Sequence, residues 1–175
     1  LIRGLNMKNL SIIVFLSILL AACQTFQTHP SISMGTEFQL NHPLEFGASQ
    51  VAVYIQHGKI IHANSIDDYK PNCTLEVKRK RAHPQTFRPD TFIINKVTQE
   101  IAGNISVIEL PHAIALGGAS RYPEYITAIF LHSGRQPNMY KLTCQHLEEP
   151  ENANHLTLDE IQNTLGDIMT IRSPH

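Results

Sequence analysis

Cys73-Thr74-Leu75-Glu76-Val77-Lys78 is the stretch on which the fold turns. Cys73, Leu75 and Val77 fall on one side of an extended chain, and Thr74, Glu76 and Lys78 on the other. That is the period-two pattern of a strand with one face in a core and one in water. A helix would scatter the same apolar residues around its circumference. The pattern recurs upstream in Gln50–Gln56, where Val51, Val53 and Ile55 alternate with Ala52, Tyr54 and Gln56. Lys59–Ala63 follows as a second strand. His57-Gly58 sits between them in the two-residue hairpin position, where positive φ is needed and both residues tolerate it. This register pairs Ile55 with Ile60 and Val53 with His62, and two apolar faces place the hairpin centrally in a sheet. Thr36–Leu40 is an earlier short strand, and Ile66–Asn72 reads as a turn segment.

Downstream, Thr91–Ile101 and Ile105–Leu110 read as strands joined at Gly103-Asn104, and Ala113–Pro123 reads as a loop around Gly117-Gly118. Glu124–His132 is a strongly apolar strand. Met139–His146 is another, with Tyr140, Leu142 and Cys144 expected on one face. Thr157-Leu158-Asp159-Glu160 is a capping box that opens one short helix. Ile161 and Leu165 line its apolar side, Gly166 stops it, and Ile168–Ile171 adds a last strand. Short strands with one C-terminal helix predict a mostly β fold, a small antiparallel sandwich or barrel-like sheet. There is no internal repeat, and 36–175 reads as a single β-rich domain.

Ahead of the domain, Met7–Gln24 has a basic start at Lys8, an apolar run Leu10–Leu20 and small residues at Ala21-Ala22. These are the parts of a secretory signal. The apolar run is about half of the ~20 residues that a membrane-spanning helix needs, which disfavours a retained span. Leu20-Ala21-Ala22-Cys23 resembles the lipobox of bacterial lipoproteins. The resemblance implies that residues 1–22 are removed and that Cys23 carries acyl chains, the alternative being an ordinary thiol behind a plain signal peptide. Two or more chains make a stable anchor where one is marginal. Residues 1–6 precede Met7 and read either as upstream of the true start or as an extension carrying Arg3. After Cys23, Gln24–Gly35 is polar and without periodicity, a flexible tether. In the lipoprotein class an Asp after the cysteine commonly signals inner-membrane retention. Here the residue is Gln24, so the resemblance implies the outer membrane, with the periplasmic face the expected side.

If Cys23 bears lipid, Cys73 and Cys144 remain in an oxidising compartment, where such a pair usually bonds. Metal ligation by two lone thiols and two buried free cysteines are the alternatives. Each cysteine lies on the apolar side of its own strand, as a buried disulfide requires.

The chain carries 14 Lys and Arg against 15 Asp and Glu, with a net charge of −1. No global basic excess argues for nucleic acid as a partner. The ten histidines form no HExxH, CxxC or His-Cys group at ligand spacing, so neither a metal nor another cofactor is expected. His57 is explained by the hairpin, His155 by the approach to the capping box, and His62 reads as a core histidine on an apolar sheet face. Gly118-Ala119-Ser120 is not a nucleophile elbow. Asp67-Asp68 and Glu148-Glu149 read as solvated turn charges rather than a glycan-cleaving pair. Lys78–Arg88 stands out, because it gathers Lys78, Arg79, Lys80, Arg81, His83 and Arg88 in a chain that is otherwise slightly acidic. It reads either as a binding patch for an anionic envelope component or protein partner, or as a solvated loop that keeps an edge strand from pairing.

Tyr69-Lys70-Pro71-Asn72-Cys73-Thr74-Leu75-Glu76, Pro89-Asp90-Thr91-Phe92, and His155–Ile161 with Leu165-Gly166 resemble a group of uncharacterised small exported or lipid-anchored proteins of γ-proteobacteria. The resemblance implies an envelope protein and carries over no catalytic residue. The expectation is a lipid-anchored binding or structural module contacting another envelope component. The alternative is a hydrolase acting on envelope glycan or lipid through groups that meet only in the fold.

Overall fold

The computed structural model describes residues 32–103, 122–149 and 154–172. The leader, Cys23, most of the tether, the strand expected at Ile105–Leu110 and the loop to Arg121 lie outside these residues.

Among the described residues the chain forms ten strands, a single-turn 3-10 helix at Ala63–Ser65 and one α-helix. The strands are β1 (Glu37–Leu40), β2 (Leu44–Phe46), β3 (Ala52–Gln56), β4 (Lys59–Ile61), β5 (Asn72–Val77), β6 (Gln85–Phe87), β7 (Asp90–Ala102), β8 (Glu124–His132), β9 (Met139–Leu147) and β10 (Met169–Arg172). Eight of them make one antiparallel sheet in the order β10-β1-β7-β8-β9-β5-β3-β4, and β2 and β6 form a separate ribbon. The sheet curls into a half-barrel, so the barrel-like form is the one adopted rather than the sandwich. The helix, α1 (Leu158–Leu165), is opened by the expected capping box, with Thr157 and Glu160 bonded reciprocally.

The core fills the concave face. Val53 and Ile55 of β3, Leu75 of β5, Phe92 and Ile94 of β7, Ile129 of β8 and Leu142 of β9 are all buried there. The ribbon adds Leu44, Phe46 and Phe87, with the two phenyl rings edge to face at 5.3 Å. Cys73 and Cys144 are direct partners across β5 and β9. Their Cα atoms are 4.1 Å apart, and the sulfurs are at disulfide-bonding distance inside this core. Ile32, in the stretch read as tether, already packs against it.

Two bulges help the sheet to curl, since an extra residue bends its strand. Asn95 has no partner on β8, and Tyr140 has none on β5. The second bulge corrects an expectation. Met139, not Tyr140, is buried beside Leu142 and Cys144, because the extra residue shifts the alternation.

The β3–β4 hairpin has the expected turn, with His57 at φ 53° and Gly58 at φ 70°, and Ile55 pairs with Ile60. Its position differs from the reading: β4 is an edge strand, not a central one. Ile60 is 53% exposed, β4 ends at Ile61, and His62 is exposed rather than a core histidine paired with Val53.

Helix α1 packs against both ends of the curled sheet, on β10 and on β3 and β5. At one end, Gln162 accepts from the Ile171 N–H at 2.7 Å and donates to the Met169 carbonyl at 3.1 Å, so its amide stands in for a neighbouring strand on the edge of β10. At the other, the Gly58 N–H donates to the Thr164 carbonyl at 2.9 Å. The helix thereby closes the half-barrel.

Candidate anion-binding cleft

The loop after β5 carries the basic run, and its backbone is fixed by its neighbours. The Lys78 N–H donates to the Asn138 carbonyl at 2.8 Å. The side-chain amide of Asn138 accepts from the Arg79 N–H at 3.0 Å and donates to the Arg79 carbonyl at 3.2 Å. Gln136 treats Arg88 in the same way, accepting at 2.8 Å and donating at 2.8 Å. Ser49, held at φ 64°, donates its N–H to the Arg81 carbonyl at 2.8 Å. A non-glycine residue at positive φ is uncommon and persists where its surroundings over-determine it. Both ends of the basic segment are thus clipped to the β8–β9 loop, Ser133–Asn138.

That loop is itself built on Asp90, whose side chain is only 3% exposed. Asp90 accepts from the Ser133 hydroxyl at 2.6 Å, the Thr91 N–H at 2.9 Å and the Gln136 amide at 3.3 Å, and it pairs with Arg135. Burial alone would push its pKa up. The hydroxyl, amide, guanidinium and backbone donors outweigh burial and hold the carboxyl below its ordinary value. Asp90 is a buried carboxylate that stays ionised. Arg135 keeps 76% of its side chain exposed while anchored from below.

Two clefts result. One of about 560 Å³ runs past Arg81, His83, Gln85, Thr86, Arg135 and Asn138. The other, about 370 Å³, is lined by Thr86, Arg88, Pro89, Asp90, Arg135 and Gln136. Among the described residues, Asp90 is the only acid in either lining. Glu45 lies opposite Thr86 across the β2–β6 ribbon. In the wall of the larger cleft the Gln85 side-chain oxygen, Oε1, accepts from the Asn138 amide at 2.7 Å, while its Nε2 is buried without an acceptor.

The structure therefore divides the basic run read from sequence. Lys78, Arg79, Lys80, Arg81 and Arg88 are all exposed. Arg81 and Arg88 line the clefts, Arg79 and Lys80 line neither, and Lys78 lines a separate cleft with Lys96, Phe130 and Tyr140. Arg135 was missed, because it is more than forty positions away in sequence. Asp90 carried a signal: it continues the inward alternation of Ile94 and Phe92 back by two residues.

A second polar group occupies the end of the concave face near the helix start. Tyr125 and His146 are buried, with ring centres 6.0 Å apart, and His155 stands edge-on to Tyr125 at 5.6 Å. The His155 Nδ1 is 3.5 Å from the Thr127 hydroxyl. The His146 Nε2 is 3.9 Å from a Glu148 oxygen, and its Nδ1 is buried without a partner. Desolvation lowers the pKa of His146 against the opposing pull of Glu148 and Glu160. Desolvation, together with His146, lowers that of His155. Among the described residues no group of three or more His, Cys, Asp or Glu is placed to hold a metal ion, and no helix is long and apolar enough to cross a membrane. Asp67 and Asp68 are exposed on the turn before β5, as read, and Ser120 lies outside the described residues.

No protein-family model matches this chain, and no curated protein or solved structure is significantly similar to it.

Proposed function

We propose that the protein is a lipid-anchored envelope module. In this reading Cys23 carries the lipid at the outer membrane, on the periplasmic side, and the domain binds an anionic envelope component at the basic clefts. The Met7–Gln24 leader supports the address. One observation carries the binding: Arg81, Arg88 and Arg135 line two clefts whose walls are hydrogen-bonded in place and whose only acid among the described residues is buried. A loop whose sole task is to repel a neighbouring strand has no use for such fixing.

Palmitate labelling of cells carrying the native protein and a Cys23→Ser variant tests the anchor, and label retained by the variant sinks it. In-cell crosslinking of the native protein and an Arg81→Glu/Arg135→Glu variant tests the contact. The expected result is loss of specific crosslinked neighbours; an unchanged pattern counts against the reading.

The alternative, a hydrolase of envelope glycan or lipid, rests on buried His146, whose Nε2 lies 3.9 Å from Glu148, whose Nδ1 has no partner, and whose charge acts on nearby His155. Release of product from purified envelope by the native protein, abolished by His146→Gln, would favour it.

A further inference from the structure

We infer that the two clefts form one recognition site for a ligand carrying two phosphate groups on one scaffold, with Arg135 between them and Asp90 as a positioning residue. This deepens the reading above and rests on it, since it gives the anionic component a chemistry.

Among the described residues, the permanent cations that line the clefts are guanidiniums, with His83 also in the larger lining. Arg81 lines the larger, Arg88 the smaller and Arg135 both. A guanidinium offers a planar fork of donors that matches phosphate oxygens two at a time, whereas a lysine offers a point charge. Lys78 belongs to a different cleft. Of the mixed basic run, Arg81 and Arg88 thus reach the clefts, while Arg79, Lys80 and Lys78 do not.

Arg135 is presented rather than loose. Its Nη2 is fastened to a buried carboxylate whose oxygens are also engaged by Ser133, Gln136 and the Thr91 backbone. The rest of the guanidinium faces the clefts and solvent. A group held this way loses little freedom on binding, and the same holds for walls clipped by Asn138 and Gln136.

The case for two phosphates comes from the shared lining. Thr86, Arg135 and Gln136 border both clefts, and each cleft has one further arginine of its own, Arg81 in the larger and Arg88 in the smaller. A single phosphate meets the arginines of one cleft. Two phosphates on one scaffold meet Arg81 and Arg88 together and share Arg135. A lipid headgroup and a soluble diphosphate meet this description equally.

The test uses the full chain in detergent. Inorganic pyrophosphate, inorganic phosphate and sulfate are titrated by calorimetry, and phosphatidylcholine vesicles doped with a bisphosphorylated lipid are compared with vesicles carrying equal charge as phosphatidylserine. Pyrophosphate is expected to bind at least about tenfold more tightly than phosphate or sulfate, a difference of about 1.4 kcal/mol. Arg135→Lys and Arg88→Gln should each remove most of that preference. Asp90→Asn should lower the pyrophosphate-to-phosphate ratio, whereas a merely structural role would weaken all three anions alike. Selective vesicle binding assigns the lipid source, and pyrophosphate binding without it assigns the soluble one. Equal binding of all three anions, or an Arg135→Lys variant that keeps the preference, overturns the inference. If so, charge reversal that still removes crosslinks in cells leaves the envelope module standing with a different anion.

Discussion

A Cβ on Gly166 would lie 2.6 Å from the Cα of Gly58, so the helix C-terminus and the β3–β4 turn meet backbone to backbone. The contact joins the last turn of α1, which leads into β10 at one edge of the sheet, to the hairpin at the other. Both residues have positive φ, 54° and 70°, so neither backbone suits a side chain. Gly166→Ala is expected to cost about 1–3 kcal/mol from backbone strain, plus a comparable clash term. Gly35→Ala serves as the control: it has φ 87° but nothing within 4 Å of its Cβ position, so only the strain remains. Urea midpoints of the two variants measure the difference, and equal losses would remove the contact from the account.

Cys73 and Cys144 tie together strands whose residues lie 71 positions apart. Closing a loop of that length is worth on the order of 4 kcal/mol in the chain-entropy model. The Cys73→Ala/Cys144→Ala variant should lose about that much in urea. In the native protein neither cysteine should react with maleimide before reduction. Two titratable thiols under non-reducing conditions would show the bond to be absent.

Asp90 gives an acid-side prediction. Its folded pKa is depressed, so the stability it confers is present above the ordinary carboxylate value of 3.8 and is lost as pH falls through the folded value. Asp90→Asn should cost roughly 1.5–3 kcal/mol at neutral pH, the range for hydrogen bonds to a charged group. The gap should close as the pH falls through the folded value, where the wild-type carboxyl is itself protonated. Denaturation curves at neutral pH and along an acid series test this, and a constant gap would contradict it.

His146 and His155 act in a higher window. Both pKa values are lowered by burial, so the unfolded chain binds the proton better. Stability is then full above the unfolded value near 6.5 and falls as pH drops from there toward the folded values. Melting temperatures at about pH 7.5 and about pH 5.5 should therefore differ in the wild type, less so in His146→Gln, and least in the variant with both histidines replaced. Glu148 and Glu160 face His146 and oppose the shift, so Glu148→Gln should steepen the dependence.

Much of this architecture is legible in the chain because its signals are local. The alternation of Cys73–Val77, the His57-Gly58 turn, the Thr157–Glu160 capping box and the stop at Gly166 each operate over a few neighbouring residues. The misreadings share a cause: they needed a partner distant in sequence. Strict alternation puts Tyr140 inward, because a bulge is defined by the strand opposite. Two apolar faces suggest a central β3–β4 hairpin, because they do not say how many neighbours a strand has. The ribbon strands β2 and β6 are three residues each, too short for periodicity to register.

The candidate site divides along the same line. The chain by itself determined that Arg81 and Arg88 are exposed cations in a loop between strands, since charged side chains next to Pro84 and Pro89 stay in water. Only the tertiary structure decided that Arg135 joins them and that Lys78 does not. That choice depends on Asp90 being buried at the start of β7, where it fastens Arg135, and on Asn138 and Gln136 clipping two separate loops together. Hydrogen bonds between residues some 45 to 60 positions apart leave no period in the sequence, because they are set by which strands lie side by side.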